Sequence, residues 1–224
     1  MFDKNMLLSA LNVRFHHAAW PFVLIALLIA MVFYLLQWKS ISVFFVVLAL
    51  FFLYFFRHPP RCVSDVPNAV VSPADGTIVE IEDSAFPSEY GMSDDQCTKI
   101  GIFLSPFDVH INRIPFEGII EQNVYTPGQF FNAASRKAST QNEQRGVVIR
   151  TSTGVRMLCV QIAGFLARRI VCNVQRGDSV KKGMNYGLIC FGSRVDLYVP
   201  KTVAIFVKVG QGLRGGESII GLLE

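Results

Sequence analysis

Three short islands in this 224-residue chain carry residue types that can move protons or attack a carbonyl. The first is Ser72-Pro73-Ala74-Asp75-Gly76, set between two apolar stretches. The second runs Leu104-Ser105-Pro106-Phe107-Asp108-Val109-His110-Ile111-Asn112-Arg113, and His110 is the only histidine beyond position 58. If 108–110 is extended, the Asp108 and His110 side chains share one face, and the carboxylate can orient the imidazole. The third is Phe191-Gly192-Ser193-Arg194-Val195-Asp196, again between apolar stretches. By itself the Gly192-Ser193 pair says little. The pattern is not a hydrolase elbow, because Val195 stands where GxSxG needs its second glycine. Each island alone has a plainer reading: an Asp-Gly turn, a structural histidine and a strand-edge turn.

The elements that must position these islands read as strands. From Pro60 onward, short apolar and β-branched stretches alternate with Gly and Pro, among them Thr77–Ile81, Lys99–Leu104, Gly118–Tyr125, Val147–Thr151, Val155–Ile162, Asn185–Cys190 and Val195–Tyr198. Such spacing predicts an all-β sandwich or barrel. The polar stretch Pro127–Gln144 reads as a loop or short helix. One pattern repeats: Val174-x-x-Gly177-x-x-Val180-Lys181-x-Gly183 returns 33 residues later as Val207-x-x-Gly210-x-x-Leu213-Arg214-x-Gly216. Each copy predicts a strand, a tight turn at glycine and a return to the sheet. The repeat resembles lipoyl and biotinyl carrier domains, so the expected fold is mainly β, a flattened barrel or sandwich of that hybrid type.

The N-terminal part is different. Trp20–Leu36 and Ile41–Phe56 are long apolar runs, and the only charged residues in 1–56 are Asp3, Lys4, Arg14 and Lys39. The runs predict a membrane helical hairpin over 1–56, ahead of a β-rich domain over 57–224. Lys4, Arg14, Arg57 and Arg61 outside the runs against Lys39 between them predict both ends, and the β-rich domain, on the cytoplasmic side of the cell membrane. Residues 57–224 carry 18 Lys and Arg against 16 Asp and Glu, with no basic block. That argues against a nucleic-acid partner. The five cysteines form no CxxC and do not cluster with histidine, so the expectation is free thiols and no metal.

Taken together in order, the islands resemble the phosphatidylserine decarboxylase family in its shorter form. The residues that carry this are Phe56-Arg57-His58-Pro59-Pro60-Arg61, Ser72–Gly76, Leu104–Arg113, Lys137-Ala138-Ser139 with Asn142-Glu143, and Phe191–Asp196. The resemblance implies a proenzyme that cuts itself between Gly192 and Ser193, giving a β chain of 1–192 and an α chain of 193–224 that stay associated. Ser193 would become a pyruvoyl group, the covalent cofactor, whose carbonyl forms a Schiff base with phosphatidylserine and serves as electron sink for its decarboxylation to phosphatidylethanolamine. It implies catalytic roles for His110 and Asp75 beside Ser193. Membrane lipid is then a partner, and assembly into a homo-oligomer stays open. One departure is plain: the longer form has two histidines three apart, and here His110 matches the first while Arg113 stands at the second. Either His110 serves both cutting and turnover, or another group assists Ser193. Two other readings compete. A membrane-anchored serine hydrolase would use Ser193, His110 and Asp75 in one intact chain. A carrier module would need an exposed lysine between the repeat copies, where only Lys201 stands, between Pro200 and Thr202.

Overall fold

The computed structural model describes residues 14–92, 96–133, 135, 137–165, 169–190 and 192–224, so Phe191 of the third island and Lys4 of the N-terminal flank lie outside the described residues. The chain divides into two compact units, Met1–Pro60 and Arg61–Glu224.

In the first unit, strands β1 (Arg14–Phe15) and β2 (Arg57–His58) pair at the base of two helices, α1 (Ala19–Leu35) and α2 (Lys39–Phe55). The turn between the helices is made by Gln37 at φ +63°. Small residues on one stripe of α1, Ala19, Val23, Ala26 and Ala30, let the helices approach closely. Ser42 Oγ donates to the Ala30 carbonyl at 2.8 Å, and Phe33 stacks on Phe45. Elsewhere the apolar side chains face outward, among them Leu24, Leu28, Met31, Val43, Phe44 and Leu50. The helical hairpin is present, but its expected membrane character is not supported. Each helix has 17 residues, or about 25 Å against a hydrocarbon core of about 30 Å. No helix among the described residues is long and apolar enough to cross a membrane.

The second unit is mainly β, as expected. Its strands are β3 (Ala69–Val71), β4 (Gly76–Ala85), β5 (Gln96–Leu104), β6 (Ile111–Arg113), β7 (Gly118–Thr126), β8 (Gln144–Arg150), β9 (Arg156–Ile162), β10 (Ile170–Cys172), β11 (Ser179–Val180), β12 (Asn185–Ile189), β13 (Ser193–Pro200), β14 (Val203–Ile205), β15 (Gly212–Leu213) and β16 (Ile219–Leu223). An eight-stranded antiparallel sheet, β11-β7-β8-β9-β13-β5-β4-β15, curls as a half-barrel, flanked by the triplets β10-β12-β6 and β14-β16-β3. Both sheet faces are buried. Ile100, Ile102, Leu104, Val195, Leu197 and Val199 point into the larger core. Alternate positions, Cys97, Val160, Ile162 and Tyr198, meet Phe86, Tyr90 and Ala138 on the opposite face. The polar 127–144 segment contributes a single helical turn, α3 (Ala138–Gln141), which covers this second face.

The sequence repeat is a structural repeat. In the first copy, Gly177 donates to the Ile120 carbonyl, Val180 pairs with Gly118, and Gly183 donates to Ile114. In the second, Gly210 donates to Ile78, Leu213 pairs with Gly76, and Gly216 donates to Ser72. A β-bulge follows both Ile120 and Ile78. A Cβ at Gly118 would lie 2.3 Å from the Arg150 oxygen, and one at Gly76 would lie 2.2 Å from that of Phe103. The two copies therefore present the same corner twice.

Candidate active site

The register of three neighbouring strands gathers the islands. Phe103 of β5 pairs with Thr77 of β4 on one side and Arg194 of β13 on the other, and one step further Leu104 pairs with Ser193. The start of β4, the end of β5 and the start of β13 thus form one edge. The second island continues from Leu104 and is tied in again, because Arg113 N donates to the Pro73 carbonyl and Ile189 N reaches the His110 carbonyl.

Ser193 is fully buried, and its Oγ has no hydrogen-bond partner among the described residues. Strand alternation sends it to the side of Val195 and Leu197, toward the larger core. A buried hydroxyl left unpaired costs roughly 1–3 kcal/mol, so Ser193 calls for an explanation. Gly192 has φ +66°, the left-handed region that glycine adopts without a Cβ penalty. Its carbonyl oxygen is pressed against Gly164: a Cβ built there would lie only 1.7 Å away. Gly164 is itself fixed through its neighbour, since Asn142 Nδ2 donates to the Ala163 carbonyl at 2.7 Å and to Phe131 O at 2.9 Å. Asn142 Oδ1 accepts from Phe131 N, so one amide side chain ties the 127–144 loop to the segment under the Gly192 carbonyl.

His110 is buried, and its Nδ1 lies 3.0 Å from the Asp108 backbone carbonyl. A carbonyl can only accept, so Nδ1 carries the proton, which leaves Nε2 as the basic nitrogen whenever the ring is neutral. The expected orienting group was the Asp108 carboxylate. Residues 105–108 instead form a turn, and that carboxylate accepts from Ser105 N at 2.8 Å and Ser105 Oγ at 2.7 Å. A backbone carbonyl replaces it as the group that fixes the ring.

Asp75 lies at the same edge but does not bond the imidazole. Its Oδ2 accepts from Arg61 at 2.6 Å and its Oδ1 from the Gly215 amide at 2.7 Å. Burial pushes its carboxyl above the ordinary aspartate value, while Arg61 and the Gly215 amide pull it back. Arg113, at the position of the missing histidine, donates to the Gly183 carbonyl at 2.9 Å. Burial, with Arg61 nearby, lowers its value from the usual arginine range. On the core side, Gln161 Nε2 donates to Asn112 Oδ1 at 2.8 Å, both residues being fully buried.

Directly beyond Ser193, on the other sheet face, lies a buried ionic layer. Arg194 Nε donates to Asp196 Oδ1 and its Nη2 to Glu80, and Lys99 Nζ lies 3.0 Å from the same Glu80 carboxylate. Ser139 Oγ donates to Asp196 Oδ2 at 2.8 Å. Hydrogen bonds from Arg194 and Lys99 hold Glu80 below its ordinary value against the cost of burial. Asp196, wholly buried, is pushed up by desolvation although Arg194 and Lys99 draw it down. The layer was not legible in the sequence. Glu80 points to this face only because the bulge between Ile78 and Glu80 resets the alternation of β4. Gly164 gave no signal beyond its residue type. Ser139 and Asn142 were recognisable as part of a linked pattern, but not what they hold.

The chain is similar to known proteins over most of its length. A family model described as phosphatidylserine decarboxylase matches residues 48–221. A phosphatidylserine decarboxylase proenzyme of Geotalea uraniireducens is 45% identical over 204 residues, covering 91% of this chain and 94% of the relative. One of Geobacter metallireducens is 42% identical over 209 residues, with the same coverage. One of Rickettsia akari is 49% identical over 168 residues, covering 75% of this chain and 73% of its own.

Proposed function

The chain belongs to the phosphatidylserine decarboxylase family, and on that premise we propose that it cuts itself at the Gly192–Ser193 bond and works with a pyruvoyl group derived from Ser193. The activity is decarboxylation of phosphatidylserine to phosphatidylethanolamine, by a protein made as a proenzyme. The observation that carries the assignment to Ser193 is its buried Oγ, without a partner among the described residues, next to a left-handed glycine. Such a hydroxyl is poised to attack the carbonyl behind it and to turn the Gly192 amide into an ester. Breaking that ester by elimination leaves a carboxylate on Gly192, and hydrolysis of the new N-terminal residue releases ammonia.

The residues present fit the group: position 193 is enclosed, and Gly164 and Asn142 restrain the segment before it. When formed, the group supplies an electron sink for the carbon that loses carbon dioxide. His110 Nε2 is the site we assign to proton transfer, taking the Ser193 proton during maturation and giving one to the substrate carbon in turnover. The backbone carbonyl on Nδ1 orients the ring for this. Asp75, tied to Arg61 and Gly215, acts on maturation by holding its edge in place. We further propose that the outward-facing side chains of the helical hairpin seat the enzyme in the surface of the cell membrane, with the catalytic unit on the cytoplasmic side.

Intact-mass analysis tests the assignment. Wild-type protein should resolve into two chains, with a blocked N-terminus on the fragment beginning at position 193, and Ser193→Ala should stay whole. An active preparation that remains one uncut chain refutes it and favours a hydrolase keeping its serine.

A further inference from the structure

The ionic layer beyond Ser193 is divided by the proposed cut. Arg194 and Asp196 lie after it, while Glu80, Lys99 and Ser139 lie before it. Before cutting, β13 is tethered through Gly192. Afterwards its first residue becomes a chain end, and strand ends fray unless tied down. Residue 193 pairs on one side only, with Leu104, because β9 stops at Ile162 opposite Arg194. Arg194 is therefore the first residue held by both neighbouring strands, and it is 1% exposed.

Its side chain reaches across β5 to β4, and Gly101 makes that path. A Cβ on Gly101 would lie 2.2 Å from Arg194 Nη2 and 2.7 Å from its Cζ. The guanidinium thus passes over the glycine, with Glu80 at one end and Asp196 at the other. Planar, charge-assisted contacts of this kind fix geometry as well as adding energy.

Resting on the processing reading above, we propose that Arg194 is a positioning residue: with Glu80, Asp196 and Ser139 it clamps the newly cut strand so that position 193 stays seated against Leu104. The clamp's contribution appears only once the covalent tether is gone. A merely structural network would matter equally before and after cutting.

Hydrogen exchange of residues 194–197 in two backgrounds separates these. Glu80→Gln and Ser139→Ala are each placed in the self-processing chain and in the uncut Ser193→Ala chain. In processed protein Glu80→Gln should speed exchange by about tenfold or more, the worth of one charge-assisted hydrogen bond. It should also lower kcat per titrated carbonyl group with KM unchanged. In the uncut background exchange should stay near that of the parent. Ser139→Ala keeps every charge and should show the same difference more weakly, so it carries the test if Glu80→Gln does not fold. Equal acceleration in both backgrounds overturns the clamp and leaves self-processing standing. A wild-type chain that is never cut removes both.

Discussion

Replacing Gly164 by alanine asks whether the carbonyl to be attacked is held in place by backbone contact. The added methyl would lie 1.7 Å from the Gly192 oxygen, 2.9 Å from its carbonyl carbon and 3.3 Å from the Ala133 Cβ. Close carbon–oxygen contacts in proteins are about 3.3 Å, so the two segments must separate by roughly 1.5 Å. Misplacing a reacting group by about 1 Å can cost about 10²-fold in rate, or about 2.7 kcal/mol of barrier. Overpacking of this kind destabilises by about 1–3 kcal/mol, which a domain of ordinary stability survives. Gly164→Ala should therefore fold and cut itself about a hundredfold more slowly, followed by intact mass from the moment of synthesis. Gly154→Ala is the control. Its Cβ meets nothing within 4 Å, and only the φ of +86° is strained, at a cost of about 1–2 kcal/mol. That variant should cut at the wild-type rate. A folded Gly164→Ala chain that matures as fast as the control would refute the reasoning.

Other perturbations have equally definite outcomes. His110→Ala should slow cutting by about 10²–10⁴-fold, and chains that do mature should still turn over poorly per titrated carbonyl group; wild-type turnover per group would exclude His110 from the reaction. Asp75→Asn weakens the tie to Arg61 and should delay maturation while leaving activity per carbonyl group unchanged, and a loss of turnover in matured enzyme would contradict this role. Burial, with His17 and His58 nearby, lowers His16 from 6.5 to about 4. The unfolded chain therefore takes up the proton first, so the stability from this site is complete above about 6.5 and is lost as pH falls toward 4, by at most about 3 kcal/mol. Melting of the helix signal at pH 7 and pH 5 should show that loss, His16→Gln should flatten it, and a pH-independent wild-type melt would rule it out. Deleting residues 1–60 should free the protein from vesicles and leave self-cutting intact; an uncut but folded truncation would mean that the hairpin takes part in maturation.

How much of this was legible in the sequence depended on how local the cause was. Strands such as Lys99–Leu104 and Val195–Tyr198 announce themselves by β-branched runs, and they form where expected. The two-residue strands β11 and β15 do not, because their pairing rests on the glycine turns beside them rather than on their own residues. Apolar runs gave the hairpin, but helix length is set by where the chain turns at Gln37, which left 17 residues on each side. The Asp108–His110 relation failed for a similar reason. An aspartate three residues after a serine prefers to cap the turn, and that local hydrogen bond wins over the extended geometry. Long-range partners such as Glu80 with Arg194, or Gly164 with Gly192, are 114 and 28 positions apart. No spacing rule reaches that far.

The doubled corner of the fold gives the chain a silent counterpart of its own reactive bond. Where Phe103 faces Arg194 at one corner, Arg150 faces Arg156 at the other. Stepping back along each strand leads to Gly192-Ser193 in the first and Gly154-Val155 in the second, both glycines being left-handed at φ +66° and φ +86°. Thr151 N closes the second corner on the Val155 carbonyl. The turn geometry at the scissile bond is thus a property of the duplicated scaffold, present also where nothing reacts. One corner carries a hydroxyl, Ser193, where the other carries an aliphatic side chain, Val155. A left-handed glycine ahead of a strand is therefore not enough to make a bond reactive, and the side chain that follows it decides.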